Sequence, residues 1–249
     1  MEDLKEALKY LADLAVRSEK TEITEINGKT YTNRQLHRYG TRDKASALNT
    51  ATLTSLVEYI AECYSEFPVG KMILHVKSPK EVVLESSLDA ERERETLMMA
   101  SAQTSEFHFD EWYDQERFMI ETQANFVKTA DLELLLKAAG NIDKKNELAY
   151  SDDGVSQVAS MTVGVATKAD VIVPNPVRLT PFRTFQEVAQ PSSDFVFRIG
   201  NGEKPTFKLV EAENGIWKNE AIESIKQFLR DQLSEKAPEE LRGRIVIIG

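Results

Sequence analysis

The strands that this sequence predicts come in groups between helices, and this grouping limits the fold more than any other feature. Short β-rich runs crowd residues 155–210, where prolines interrupt them, and a segment with helically spaced apolar residues follows. The strict strand-helix alternation that builds parallel sheets is missing. The pattern predicts an α+β fold with antiparallel or mixed sheets and flanking helices, its β-rich C-terminal half covered by a helix at about 218–233.

The N-terminal part carries helix and hairpin patterns. Asn27-Gly28 is a strong hairpin signal, and residues 89–103 fit either a helix or a strand, of which we favour the strand. We expect one domain over 1–249, with possible subdomains 1–145 and 146–249. The predicted helices cover residues 3–17, 51–64, 114–127 and 131–139, and the predicted hairpin strands include 21–26, 29–32, 71–76 and 81–84.

Composition excludes several classes of protein. The chain has 249 residues, 41% of them hydrophobic, which is enough to bury a core and too many for a disordered chain. No apolar run reaches the roughly 18 residues of a membrane span, and the polar start Met1-Glu2-Asp3 does not look like a signal peptide. A single cysteine, Cys63, excludes an internal disulfide. These features predict a cytoplasmic protein without membrane contact.

Negative charge is concentrated in one segment of the chain. Residues 81–121 carry 3 basic and 12 acidic side chains, and the whole chain has a formal charge of −10, which disfavours direct nucleic-acid binding. Within the segment Glu91, Glu93 and Glu95 alternate with arginines, so a strand there would present the three glutamates on one face. This face either docks a basic partner or only keeps the protein soluble.

Large aromatic residues accompany the acidic ones. Phe107, Phe109, Trp112 and Tyr113 lie within seven positions of one another. One small helix rarely hides so much apolar surface, so the cluster predicts a subunit interface and a homo-oligomer.

Known catalytic patterns are missing from the sequence. It has no glycine-rich phosphate loop, no nucleophile elbow and no pair of metal-binding histidines on one helix. Asp152 and Asp153, before Gly154, either bind Mg²⁺ or form an ordinary turn. We therefore assign no catalytic residue and expect no cofactor, and a protein that is not an enzyme is the favoured interpretation.

Several strings along residues 50–235 resemble the YfdQ-like family of uncharacterised phage and prophage proteins. They are residues 52–60 (TLTSLVEYI), 123–127 (QANFV), 140–142 (GNI), 151–157 (SDDGVSQ), 173–177 (VPNPV), 181–185 (PFRTF), 195–198 (FVFR) and 215–220 (GIWKNE). The resemblance implies a protein of the host cytoplasm that is made in infected or lysogenic cells. It implies no activity and no catalytic residues.

Taken together, these features favour a phage accessory protein that binds a host or phage component, either a protein or a nucleotide ligand. One version is counter-defence, in which it occupies an immune effector or sequesters a nucleotide signal. Two alternatives stay open at this point: an accessory factor of phage DNA replication or recombination, and a Mg²⁺-dependent enzyme using Asp152 and Asp153.

Overall fold

A computed structural model describes most of the chain and divides it into two units. The described residues are 2–19, 21–26, 28–32, 44–89, 92–141, 156–163, 167–200, 204–241 and 243–249. Residues 1–44 form the N-terminal unit, and residues 45–249 form the main unit. The expectation of one domain over 1–249, with subdomains that meet near residue 145, stays a prediction.

The helices and strands confirm the predicted α+β class. In chain order they are α1 (Glu2–Glu19), β1 (Ile23–Ile26), β2 (Lys29–Thr32), β3 (Leu48–Thr50), α2 (Leu53–Glu62), β4 (Met72–Ser78), β5 (Glu81–Ser86), β6 (Thr96–Ser101), β7 (Tyr113–Asp114), α3 (Gln115–Asn125), α4 (Ala130–Gly140), β8 (Ser156–Val163), β9 (Thr167–Pro174), β10 (Val177–Leu179), β11 (Ser193–Gly200), β12 (Thr206–Glu211), α5 (Trp217–Lys236) and β13 (Ile245–Ile248).

The N-terminal unit contains α1 and a two-stranded hairpin. Strands β1 and β2 pair antiparallel, and Gly28, between them, has a φ of 73° that suits a residue without a Cβ atom. The predicted hairpin is therefore confirmed, and α1 covers the predicted helix.

A mixed five-stranded sheet forms the first half of the main unit. Its strand order is β13-β4-β5-β6-β3, with antiparallel pairs in the centre and a parallel pair at each edge. Along β4 the buried residues alternate with half-buried ones, so Met72, Leu74 and Val76 share the core face.

Helices α2 and α5 cover that face of the five-stranded sheet. The Thr52 side chain accepts a hydrogen bond from the Ser55 backbone N–H and thereby caps the N-terminus of α2. Four apolar residues of α2 and three of α5 are buried in the same core as the strands. They are Leu53, Leu56, Val57, Ile60, Ile225, Leu229 and Leu233.

A second, antiparallel sheet has the order β10-β11-β12-β7 and an aromatic core. Phe118 of α3 packs against Phe197 and Phe207, with ring centroids 5.9 and 5.2 Å away. Helix α4 contributes Leu132 and Leu135 to the same core. This core is separate from the one beneath α2 and α5.

The position of α5 differs from the detailed expectation. The sequence predicted a β-rich C-terminal half with the C-terminal helix on it. Instead, β8 and β9 form their own hairpin, and α5 packs on α2, β4 and β13. The helix does cover strands, one from each half of the chain. Its apolar stripe fits any apolar sheet face, so the stripe alone does not select the sheet.

The two halves of the sequence are interleaved in the main unit. Strand β13, at the C-terminus, pairs with β4, and β7 pairs with β12. A boundary near residue 145 would therefore cut both of these sheets.

One tyrosine of α2 gives a pH prediction. Burial, together with the hydrogen bond that the Tyr59 hydroxyl donates to Glu66, raises the pKa of Tyr59 from 10.0 to about 12. The folded state then holds this proton more tightly than the unfolded state. Tyr59 thus contributes stability that is fully present below pH 10.0 and is lost as the pH rises toward about 12.

We expect spectrophotometric titration to show a late ionisation step that Tyr59→Phe removes. Burial also raises the pKa of Tyr113, so the late ionisation of Tyr113 remains in the variant. Tyr64→Phe is the matched control, since Tyr64 is exposed. A Tyr59→Phe titration curve identical to that of the wild type above pH 10 would contradict this assignment.

Candidate binding groove

A polar groove lies where the loop between β10 and β11 crosses from the second sheet to the first core. Two cavities of about 480 and 430 Å³ adjoin there and share Gln103 and Gln186 as lining residues. Each is within the size range of ligand sites. The first cavity adjoins Thr52 and Thr54 at the N-terminus of α2, and the second extends toward Ala124 of α3.

The wall beside α2 is held by a carboxylate. Glu187 Oε1 accepts hydrogen bonds from the Thr54 N–H at 3.2 Å and from its hydroxyl at 3.5 Å. Free N–H groups and the helix dipole both favour a carboxylate at this position. Glu187 therefore occupies the anion-binding position that the start of α2 would otherwise offer to a ligand.

Buried contacts fix the loop that forms the other wall. Phe185 and Val188 lie in the core beneath α2, and the Thr184 hydroxyl donates to the Pro79 carbonyl at 2.6 Å. The Gln190 side chain accepts from the N–H groups of Arg183 and Thr184 and donates to the Phe185 carbonyl. The loop is thereby held in place without using Gln186.

Arg183 anchors the same loop to the second sheet. Its Nη1 lies 2.8 Å from Glu211 Oε1, and its Nη2 donates to the Pro191 carbonyl and to the Ser193 hydroxyl. The guanidinium also lies 4.0 Å from the centre of the Trp217 ring. Burial lowers the pKa of Arg183, and Glu211 opposes that shift, so the side chain stays charged.

The polar groups that remain available line both sides of the groove. Gln103 and Gln186 are exposed, and neither amide has a hydrogen-bond partner within the part of the chain that the structure describes. The Thr104 hydroxyl is buried beside the second cavity and also has no partner among the described residues. The Phe182 ring, 37% exposed, adds an apolar surface. The groove thus offers donors, acceptors and one aromatic face.

The charge of the groove lining is acidic. Glu187 is its one charged side chain among the described residues, and no lysine or arginine lines either cavity there. A phosphate group would find no cation in the groove, whereas a basic group would be attracted to Glu187.

The glutamates predicted as a binding face do not lie in a strand. Glu91 is outside the described residues. Arg92 has a φ of 65°, the Asp89 carboxylate accepts from the Glu93 N–H, and β6 begins only at Thr96. A turn with positive φ breaks the alternation that would put the glutamates on one face, so this premise of the acidic-face prediction is wrong. Their role in binding a partner stays a prediction.

The predicted aromatic interface is mostly interior. Phe107 and Tyr113 are buried and stack at 5.0 Å, and Phe109 stacks on Phe195. Trp112 is exposed, with Lys208 Nζ 5.1 Å from its ring centre. Self-association was predicted because one helix could not bury so many aromatic rings. Strands β11 and β12 bury most of them, so these rings no longer argue for self-association.

The predicted metal-binding aspartates, Asp152 and Asp153, are not among the residues that the structure describes. Among the residues that the structure does describe, no group of His, Cys, Asp and Glu side chains is arranged to hold a metal ion. None of the described helices is long and apolar enough to cross a membrane.

Sequence reasoning missed the groove because its residues are ordinary and far apart. They come from positions 51–54, 102–105, 124 and 182–190, and no short motif links them. Three of the strings that carry the family resemblance, 52–60, 123–127 and 181–185, do border it. That coincidence was the one available signal.

Comparisons with protein-family models, curated proteins and solved structures found no match for this chain.

Proposed function

We propose that this protein acts by binding another protein, and that the groove holds an extended peptide segment of that partner. The observation that carries the proposal is the pair of free amides, Gln103 and Gln186, in a preformed groove. A carboxamide donates and accepts at once, as does each peptide group of an extended chain. Peptide recognition commonly combines such main-chain hydrogen bonds with pockets for side chains.

The charges favour a peptide over a nucleotide. The lining lacks a described cation that would hold phosphate, and the chain carries a formal charge of −10. Glu187 instead favours a lysine or arginine of the bound segment, and Phe182 provides an apolar surface for its neighbour. The partner segment is therefore basic.

This proposal gives a specific form to the phage accessory hypothesis. The sequence resemblance to phage and prophage proteins supports a partner in the infected cell, either a host effector or a phage protein. Counter-defence by occupying that partner requires a binding surface and no chemistry, which agrees with the features of the groove.

The test is a peptide array followed by affinity measurement. We expect basic extended peptides to bind and Gln103→Ala/Gln186→Ala to raise their Kd at least about tenfold, because two hydrogen bonds of about 1 kcal/mol each are lost. The matched control is Asn219→Ala/Gln227→Ala, which removes two exposed amides of α5, a helix that lines neither cavity.

Equal losses in both double variants would contradict the location of the site. A thermal shift with nucleotides, in the absence of any binding to basic peptides, would overturn the proposal in favour of a nucleotide ligand.

A further inference from the structure

Strand β13 leaves one of its two edges without a partner strand. It is the outermost strand of the five-stranded sheet and pairs parallel with β4 on its inner side. The Met72 N–H donates to the Arg244 carbonyl across this pair, and the backbone groups along a strand point alternately to its two sides. Ile245 and Ile247 therefore direct their N–H and C=O groups away from β4. Among the described residues, no backbone group bonds to them there.

The sequence of β13 contains none of the features that protect such an edge. Natural edge strands avoid further pairing through short length, charged side chains, proline or a bulge. Strand β3, at the other edge of the sheet, has three residues, whereas β13 has four and reads Ile-Val-Ile-Ile, without a charge or a proline. The outer edge of β13 is therefore suited to accept an additional strand.

An apolar cavity of about 360 Å³ lies directly beside this edge. Its apolar lining comes from β13 and from the end of α5 and the loop that follows it: Ile245, Ile247, Leu233, Ala237 and Leu241. A strand added to β13 would place every second side chain on the same face as Ile245 and Ile247, and thus over the cavity. Recognition by strand addition combines these two features, because main-chain hydrogen bonds give affinity and pockets for alternate side chains give specificity.

One cation lies at the rim of this cavity. Arg230 is the one charged side chain of the lining among the described residues. It is exposed and makes no hydrogen bond or ion pair with any residue that the structure describes. Glu223, the acidic residue two turns earlier on α5, lies 2.7 Å from Lys226 instead. A guanidinium with free N–H groups binds a carboxylate in a forked geometry, so the charge of the cavity favours an acidic ligand.

From the free edge, the adjoining cavity and the available arginine we infer that β13 is a second peptide-binding site, which takes an extended acidic segment of a partner as an additional strand. The main chain of the segment bonds to Ile245 and Ile247, its alternate apolar side chains enter the cavity, and its glutamate or aspartate contacts Arg230. The site shares no lining residue with the groove, which favours basic segments, so the two sites select segments of opposite charge.

Calorimetric titration of the full chain tests the site with a blocked peptide that alternates valine with threonine and carries one glutamate. We expect Arg230→Gln to raise the Kd of this peptide at least about fivefold, because a charge-assisted contact is lost. The matched control Lys218→Gln removes an exposed cation at the other end of α5 and should leave the Kd unchanged. A peptide with glutamine in place of the glutamate should bind the wild type and Arg230→Gln equally. Gln103→Ala/Gln186→Ala should change none of these Kd values, which separates this site from the groove.

N-methylation of the glutamate peptide tests strand addition without altering the protein. Methyl groups on one set of alternate amides remove the donors that face β13 and should abolish binding, whereas methyl groups on the other set should be tolerated. Ile247→Pro tests the same hydrogen bonds from the protein side, since proline is accepted on an edge strand where the missing N–H faces outward. This variant should keep the circular dichroism of the wild type and lose the peptide.

Three results would overturn the inference. They are equal effects of the two N-methylated peptides, equal Kd values of the glutamate and glutamine peptides for the wild type, and no binding of the glutamate peptide at all. A mass of twice 28.1 kDa that Ile247→Pro returns to 28.1 kDa, without peptide binding by either protein, would assign the edge to a second copy of the chain instead.

Discussion

Ile225→Asp is expected to lower the free energy of unfolding by at least about 2–3 kcal/mol, one of the largest effects of any single substitution in this chain. Ile225 is 0% exposed, in the core shared by α5, α2 and the five-stranded sheet. An aspartate there is unfavourable in either protonation state. The ionised carboxylate would be a buried charge without a partner, and the protonated carboxyl group would lose its hydrogen bonds to water. It also leaves a space where the isoleucine packed.

Chemical denaturation with Gln227→Asp as the control measures this effect. Gln227 is exposed two positions away on the same helix and donates to Asp231 Oδ1 at 2.8 Å. Its substitution loses that exposed hydrogen bond and places two aspartates four positions apart, which should together cost less than about 1 kcal/mol. Comparable losses in both variants would mean that the helix, not the buried contact, is sensitive to aspartate. A loss below about 0.5 kcal/mol for Ile225→Asp would mean that this face of α5 is not in the core.

Local signals in the sequence were sufficient to locate most helices. Thr52 and Asp114 cap α2 and α3 through their own side chains, and the apolar spacing of α5 is visible over five turns. Such features depend on residues within a few positions of each other. Pattern reasoning therefore located these helices close to their observed bounds.

The sheet arrangement could not be predicted in the same way. The pairing of β13 with β4 joins residues some 170 positions apart, and β7 has only two residues. No periodicity shows which of two apolar sheets a helix stripe will contact. The aromatic residues at 107–113 suggested an interface for a similar reason. The strands that cover them, β11 and β12, come almost 100 positions later in the sequence.

The groove was hidden from the sequence for a further reason. Glutamine, threonine and serine are common on any surface, and their spacing indicates nothing until the backbone brings them together. Gln190 and Gln186 look alike in the sequence, and only the structure shows how they differ. The Gln190 amide makes hydrogen bonds that hold the loop, whereas the Gln186 amide lines the groove without a partner among the described residues.

Arg183→Met is expected to lower the free energy of unfolding by about 2–4 kcal/mol. The change removes a buried ion pair with Glu211, two further hydrogen bonds and the contact with Trp217, while it keeps most of the side-chain volume. The Glu211 side chain is 26% exposed, so water can partly solvate the carboxylate left behind. That exposure holds the expected loss below the upper limit for a fully buried pair.

A double-mutant cycle with Glu211→Gln separates the ion pair from the other contacts. We expect a coupling energy of at least about 1 kcal/mol between the two positions, since they are in direct contact. Arg183→Lys keeps the charge and loses the forked geometry, so it should be intermediate in stability. An Arg183→Met variant within about 0.5 kcal/mol of the wild type would show that the buried guanidinium is not needed for folding.

Replacing both Arg183 and Glu211 distinguishes a role of Arg183 in stability from a role in positioning the groove loop. Arg183→Met/Glu211→Leu leaves no unpaired charge, so it should recover much of the stability that Arg183→Met loses. It cannot restore the hydrogen bonds to the Pro191 carbonyl and the Ser193 hydroxyl, which attach the groove loop to β11. If Arg183 positions that loop, the double variant will be stable and yet bind basic peptides more weakly than the wild type does. Full recovery of both properties would mean that the loop keeps its shape through Gln190, Thr184 and the buried Phe185 alone.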